Sequence, residues 1–265
     1  MAPSWLAGVA GWPVAHSRSP AMHQAAFDAL GLPWRYGRLP IPPELFEETV
    51  RALPGSGYRG INVTIPHKLA ALAVADECSP AVEAIGAANT LSFTDGVIAA
   101  ENTDAGGLID ALPGSAAGRR ALVLGAGGAG RAAVWALREA GAAEVSVWNR
   151  TPERAIALAR ELGVRHAERA GGSDLIVNAT SVGLDPAQPA EDALAALGLD
   201  GMAPPAVVVD LVYGEAETPV AAWGRRGGAQ VVDGLEVLVR QGARSFRAWT
   251  GEDPPLELMR RAVGA

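Results

Sequence analysis

The segment from Arg120 to Leu162 constrains the fold more than any other. Ala121-Leu-Val-Leu124 reads as a buried strand, and Gly125-Ala-Gly127-Gly-Ala-Gly130 as a tight turn. A helix then runs from about Gly128 to Ala140 and is closed by Gly141. Glu144 to Trp148 is the next strand, and Thr151 heads a second helix with Pro152 at its first position. Glycines spaced GxGxxG between a strand and a helix let the backbone approach a pyrophosphate at the positive helix end. The expected contacts are therefore Gly125, Ala126, Gly127, Gly128, Ala129 and Gly130. A glycine-rich turn with no ligand is the plainer reading, and the βαβ setting argues against it.

The alternation continues on both sides. Strands are expected at Asp174–Asn178, Ala206–Leu211 and Ala229–Val232, with a helix between the last two. Strands alternating with helices imply a parallel sheet covered on both faces. Upstream, strands are expected near Leu6–Ala10, Trp34–Leu39 and Gly60–Ile65, and helices near Ser19–Leu30, Pro43–Leu53 and His67–Ala75. Thr90–Phe93 and Val97–Ala100 flank Asp95-Gly96 as a hairpin. After Asp233 the chain turns helical, with a loop at Thr250–Pro255. The expected fold class is α/β: two α/β domains flanking a cleft, the second a Rossmann-type dinucleotide-binding domain. Residues 1–103, completed by helices in 233–265, form the first domain, and 104–232 the second.

Composition removes several function classes. At 265 residues, 49% apolar and 19% charged, the chain can bury a core and is not disordered. Gly, Pro or charge interrupts every apolar run before the ~18 residues a membrane helix needs. The apolar N-terminus lacks a basic n-region and does not read as a signal peptide. One cysteine, Cys78, makes a reducing cytoplasm the expected compartment. A net charge of −7 argues against nucleic acid as a partner. The four histidines have no metal-ligand spacing, so no metal is expected. Monomer and homodimer both fit.

An NAD site needs an acidic residue about 20 positions past the glycines for the ribose 2′-hydroxyl. Here the strand ends in Asn149-Arg150-Thr151, with Arg154 one helical turn beyond Arg150. Two arginines able to flank a 2′-phosphate point to NADP. The 22 basic residues comprise 21 arginines and one lysine, Lys68. A lysine can give up its proton near neutral pH when its surroundings favour the amine, and a guanidinium cannot, so Lys68 is a candidate for work arginine cannot do. Arginine-biased codon usage is the bland account of that count. All five asparagines (Asn62, Asn89, Asn102, Asn149 and Asn178) lie within two residues of a threonine at a strand end. Ser17 and Ser19 place two hydroxyls at the start of a helix, where Ser19 before Pro20 is a plain N-cap and the pair would also suit a carboxylate. Asn62 and Thr64 face one way at a strand end, with Lys68 on the first turn of the next helix. Asn102-Thr103-Asp104 starts another helix.

Together these motifs resemble the shikimate dehydrogenase family over nearly the whole chain. The resemblance runs through His16-Ser-Arg-Ser-Pro20-Ala-Met-His23, Asn62-Val-Thr-Ile-Pro-His-Lys68, Gly86-Ala-Ala-Asn-Thr90 and Asn102-Thr-Asp104. It continues in the glycine turn, Asn149-Arg-Thr151, Asn178-Ala-Thr-Ser-Val-Gly183, Asp233-Gly-Leu235 and Gln241-Gly-Ala-Arg-Ser-Phe246. It implies a reversible NADPH-dependent reduction of 3-dehydroshikimate. Position by position it implies Ser17 and Ser19 on the substrate carboxylate with Tyr213 nearby, and Asn62, Thr64, Asn89 and Gln241 on ring hydroxyls. It further implies Lys68 and Asp104 as the catalytic pair, Thr180 with the cofactor loop, and Gly234 beside the nicotinamide. Gln24, Ala100 and Glu215 depart from the family pattern. A broader quinate/shikimate dehydrogenase and a non-catalytic sensor of a cyclohexene acid are the alternatives; intact Lys68 and Asp104 argue against the sensor.

Overall fold

A computed structural model describes residues 5–265. They form two compact units, one of residues up to Gly107 together with Leu238–Ala265, the other Leu108–Val237. The divisions fall four and five residues beyond 103 and 232, because each lies inside a helix that starts in one unit and ends in the other. Asp104 therefore belongs to the first unit.

In chain order the first unit contains β1 (Trp5–Gly11), α1 (Ser19–Ala29), β2 (Trp34–Pro40), α2 (Phe46–Ala52), β3 (Tyr58–Val63) and α3 (Ala70–Val74). It continues with β4 (Glu77–Cys78), α4 (Pro80–Ile85), β5 (Thr90–Thr94), β6 (Val97–Glu101) and the start of α5 (Thr103–Ala111). The sheet order is β2-β1-β3-β5-β6-β4. It is mixed: β1 runs parallel to β2 and β3, while β5 is antiparallel to both β3 and β6. Asp95 and Gly96 both adopt positive φ, 50° and 83°, the geometry a two-residue hairpin with right-twisted strands requires. Ile61, Val63, Leu91, Phe93, Phe46 and Val50 fill one core beneath this sheet.

Three local readings change. The helix after β3 begins at Ala70, and Ile65–Leu69 is a turn, so Lys68 precedes the helix. The residue before a proline is disfavoured in helical geometry, which keeps Ile65 out of a helix. The turn is instead anchored by His67, a buried side chain whose Nε2 donates to the Ile41 carbonyl at 2.8 Å. Ser19 is already inside α1 and makes no cap; the Ser17 hydroxyl accepts from the Ser19 amide at 3.3 Å. Pro43–Leu53 splits into a 3-10 turn at Pro43–Leu45 and α2.

The second unit contains β7 (Arg120–Leu124), α6 (Gly128–Glu139), β8 (Glu144–Trp148), α7 (Pro152–Leu162), β9 (Arg165–His166) and β10 (Leu175–Asn178). It is completed by α8 (Ala190–Ala196), β11 (Val207–Asp210), α9 (Pro219–Arg226), β12 (Gln230–Val232) and the start of α10 (Gly234–Thr250). The last helix, α11 (Leu256–Val263), lies in the first unit, where the Arg18 Nη1 donates to the Val263 carbonyl at 2.6 Å. The second sheet is parallel throughout, in the order β12-β11-β10-β7-β8-β9. That is the doubly wound arrangement, and its order reverses between β7 and β10, where such sheets open a crevice for ligands. Its central strands β7, β10 and β11 are buried on both faces, as a sheet covered by helices on each side demands.

Candidate active site

In the first unit, Lys68 Nζ donates to Asp104 Oδ2 at 2.6 Å, and both side chains keep less than a fifth of their exposure. Lys68 comes from the turn after β3, and the Ala88 amide bonds its carbonyl at 2.9 Å. Asp104 sits in the first turn of α5, where a carboxylate is favoured by the helix dipole. Asn102, just before that helix, accepts from the Ala105 amide at 3.1 Å and caps it.

Asn89 ties this pair to a buried polar cluster. Its Nδ2 donates to Asp104 Oδ1 and to Thr103 Oγ1, both at 2.9 Å, and approaches Gln241 Oε1 at 3.2 Å. Its Oδ1 accepts from the Thr103 amide at 2.6 Å. Asn62, near the end of β3, extends the cluster. It donates to Thr90 and Ser245 hydroxyls at 3.2 and 3.1 Å and accepts from the Tyr36 hydroxyl at 2.8 Å. Burial of so many amides and hydroxyls is tolerable only because each finds a partner.

Gln241 is carried by α10, and two glycines let that helix come close. A Cβ on Gly107 would lie 2.6 Å from the Gln241 amide nitrogen, and one on Gly106 would overlap the Arg244 guanidinium. Beneath the cluster lies His23, fully buried and stacked on Tyr36 at 4.4 Å between ring centres. Burial pushes its imidazole down to about 3, opposed by the Asn62 amide, so it stays neutral. Gln24, which departs from the family pattern, accepts from the Tyr36 amide at 3.2 Å and so grips the edge strand β2.

Ser17 and Ser19 are buried near the start of α1, and Arg38 bonds the Ser17 carbonyl at 2.7 Å. Thr64 follows β3, half-buried, with its amide donating to the Ala10 carbonyl at 2.8 Å. The first unit thus holds Ser17, Ser19, Asn62, Thr64, Lys68, Asn89, Asp104 and Gln241. Lys68, Asn89, Asp104 and Gln241 are joined by hydrogen bonds; Asn62 meets them through Thr90 and the Asn89 carbonyl. Tyr213 and Gly234 lie in the second unit. Tyr213 is half-buried in the loop after β11, and a Cβ on Gly234 would meet the Val212 carbonyl at 2.6 Å.

The glycine turn has the geometry a dinucleotide requires. A Cβ on Gly130 would overlap the Gly125 carbonyl oxygen, so this glycine allows the strand–helix contact. One on Gly125 would press on the Ala179 carbonyl at 2.8 Å and Thr180 Cγ2 at 3.1 Å, just beyond the end of the neighbouring strand β10. A Cβ on Gly127 would meet nothing within 4 Å, which leaves that glycine open to a ligand. No side chain caps α6. Its first amides, around Gly128 and Ala129, are those a phosphate would take. Asn149 Oδ1 accepts from the Ala126 amide at 3.3 Å. Arg150 and Arg154 are exposed, and among the described residues neither forms an ion pair. They are not one turn apart on a continuous helix: Arg150 precedes Thr151, the residue flanking α7, and Arg154 lies in the first turn. No carboxylate ends β8. These features fit NADP.

Thr90, Thr103, Tyr36 and Ser245 complete the buried cluster; Thr90, Thr103 and Ser245 lie inside the sequence motifs, but the sequence assigns none of the four a site role, nor Asp210 and Thr218 in the second unit. Gly106-Gly107 inside a helix was an available signal, since each glycine there costs roughly 1 kcal/mol against alanine. Among the described residues no three His, Cys, Asp or Glu could hold a metal, and no helix is long and apolar enough to cross a membrane.

A doubly wound dinucleotide unit, in one chain with an α/β unit that carries a hydrogen-bonded lysine–aspartate pair, defines a nicotinamide-dependent oxidoreductase. Family models agree. Residues 9–91 match the shikimate dehydrogenase substrate binding domain, 109–181 the shikimate/quinate 5-dehydrogenase model, and 234–263 the shikimate 5′-dehydrogenase C-terminal domain. The NADP(+) shikimate dehydrogenase of Citrifermentans bemidjiense is 42% identical, covering 98% of this chain and 94% of its own. That of a Thermus thermophilus strain is 45% identical, covering 97% and 98%. The crystal structure of shikimate 5-dehydrogenase from another strain of Thermus thermophilus, with NADP(H) and shikimate, has a TM-score of 0.85 and 43% identity, covering 98% of each chain. The chain belongs to the shikimate dehydrogenase family.

Proposed function

We propose that this chain interconverts shikimate and 3-dehydroshikimate with NADP, as a cytoplasmic enzyme of chorismate biosynthesis. The observation that carries the reading is the Lys68–Asp104 pair at 2.6 Å, held by Asn89. Bound NADPH supplies the hydride that reduces the ketone. The oxygen at that carbon must then gain a proton, and in the reverse direction its hydroxyl must lose one. Lys68 Nζ is the group suited to deliver or take it, and its positive charge also stabilises a developing alkoxide. Asp104 holds the ammonium in place from one side through its 2.6 Å contact.

The remaining roles are those that the resemblance to the shikimate dehydrogenase family implies. Ser17 and Ser19 hold the carboxylate, and Tyr213 is a further substrate residue. Asn62, Thr64, Asn89 and Gln241 read ring hydroxyls. In the second unit, Gly125 to Gly130 and Thr180 hold the pyrophosphate side of the cofactor. Asn149, Arg150, Thr151 and Arg154 hold its 2′-phosphate, and Gly234 flanks the nicotinamide. The first unit is thus the substrate domain and the second the NADP domain.

Nicotinamide absorbance with shikimate or quinate, and NADP or NAD, tests this directly. Turnover with shikimate and NADP is expected, well above the other three combinations. No turnover in any combination would leave only the sensor reading.

A further inference from the structure

The second unit contains a buried carboxylate that the reaction above does not use. Asp210 ends β11 and is fully buried. Three donors converge on it. Asn178 Nδ2 reaches Oδ1 at 2.8 Å, the Val212 amide reaches the same oxygen at 3.1 Å, and Thr218 Oγ1 reaches Oδ2 at 2.5 Å.

One donor leads to the glycine turn, and the other two hold the loop that follows β11. Asn178 is the β10 partner of Asp210, and its Oδ1 accepts from the Thr180 amide at 3.1 Å and hydroxyl at 2.7 Å. Thr180 in turn stands against Gly125 of the glycine turn. Val212 and Thr218 bracket the loop that carries Tyr213, and Thr218 Oγ1 also accepts from the Ala221 amide, capping α9. One carboxylate therefore fixes the ends of β10 and β11 and both ends of the loop between β11 and α9. A carboxylate is the side chain for this because it only accepts, through two oxygens, and every group aimed at it donates. A buried charge held by three hydrogen bonds is a costly way to stabilise a fold, since an apolar residue of similar size is often as good. Its retention here has a positional explanation.

We infer that Asp210 is a positioning residue of the NADP site, which sets Thr180 against the glycine turn by way of Asn178 and fixes the following loop by way of Val212 and Thr218. This rests on the reading of the second unit as the NADP domain.

The test is NADPH binding, followed by quenching of intrinsic tryptophan fluorescence, on the full chain. Asp210→Ala should weaken binding about tenfold in protein that is still folded. Asp210→Asn keeps an oxygen for Asn178 and Val212, and should recover affinity to within about threefold of the natural chain. In a Thr180→Ala background the effect of Asp210→Ala should largely disappear, because both changes break one chain of contacts. A role confined to folding would lower the melting temperature and leave the dissociation constant of the folded protein unchanged. That result, or full additivity with Thr180→Ala, would overturn the inference. Should Asp210→Ala not fold, Asp210→Ser, with room for a water between the stranded donors, carries the same comparison. Failure of the unmodified chain to bind NADPH would remove the functional reading and this inference together; normal binding by the natural chain and by Asp210→Ala alike removes only the inference.

Discussion

Asn89 and Asp104 are joined by a 2.9 Å hydrogen bond from Nδ2 to Oδ1, which leaves the other carboxylate oxygen for Lys68. The amide thereby sets which face of the carboxylate meets the ammonium. It also accepts from the Thr103 amide at the start of the same helix, so rotation of Asp104 and entry of the chain into α5 are controlled by one side chain. Asn89→Ala should lower kcat at least tenfold. It should also destabilise the fold by about 1–3 kcal/mol, because it strands the buried Thr103 amide. Steady-state kinetics and thermal melting measure the two effects; a normal kcat in a destabilised protein would show that Asn89 serves folding alone.

Lys68→Arg is the sharper probe of the pair. A guanidinium keeps charge and reach but stays protonated at any working pH, and it is wider than an ammonium. Lys68 Nζ meets Asp104 Oδ2 at 2.6 Å, a contact that the wider guanidinium cannot reproduce without displacing Asp104. Turnover should fall by ~10²–10⁴-fold, the usual contribution of a general acid–base group. NADPH affinity should be retained. Near-normal turnover would mean that Lys68 only balances the charge of Asp104.

Ser19→Ala is a cleaner test of carboxylate binding than Ser17→Ala, because Ser19 lies inside α1 and the N-cap position is Arg18. The KM for shikimate should rise with a smaller change in kcat, since the contact exists in ground and transition states alike. Ser17→Ala also removes the acceptor of the Ser19 amide and should cost stability as well. A fall in kcat at constant KM in Ser19→Ala would contradict the assignment.

These cases show where the sequence was informative. The doubly wound unit was legible because a glycine turn, a strand before it and a helix after it each demand the same backbone, and periodicity is strong over long elements. The elements that escaped, β4, β9 and α8, span two to seven residues, too few for a hydrophobic period to repeat. Lys68 and Asp104 could be singled out by type and motif. Thr90, Thr103 and Ser245 could not, because a hydroxyl earns its place in the cluster only through contacts between residues as far apart as Asn62 and Ser245. Ser19 has the pattern of an N-cap because it precedes a proline, but the helix already includes it and the N-cap position falls to Arg18.

Arg150→Ala should separate the two cofactors. Arg150 is exposed and unpaired among the described residues, so its removal leaves the fold unstrained. A charge-assisted contact to phosphate contributes roughly 1.5–3 kcal/mol, or about tenfold to a hundredfold in binding. The KM for NADP should rise by that factor while that for NAD stays nearly unchanged. Equal losses with both would place Arg150 at the pyrophosphate instead.

Asp210 makes stability depend on pH in a direction opposite to most carboxylates. Burial pushes its carboxyl up from 3.8 to about 6, against the hydrogen bonds from Thr218, Val212 and Asn178, which favour the charged form; nearby Asp233 adds to the rise. The folded chain therefore binds this proton more tightly than the unfolded one. Its contribution to stability is complete below about pH 4 and is lost as the pH rises through about 6. Asp210→Asn has the same shape and no charge to desolvate. Its stability relative to the natural chain should improve between pH 4 and pH 7 by on the order of 2 kcal/mol. Urea unfolding of both proteins at a series of pH values measures the difference directly. A gap that stays constant over that range would show that Asp210 titrates at an ordinary carboxylate value, with its three hydrogen bonds fully offsetting burial.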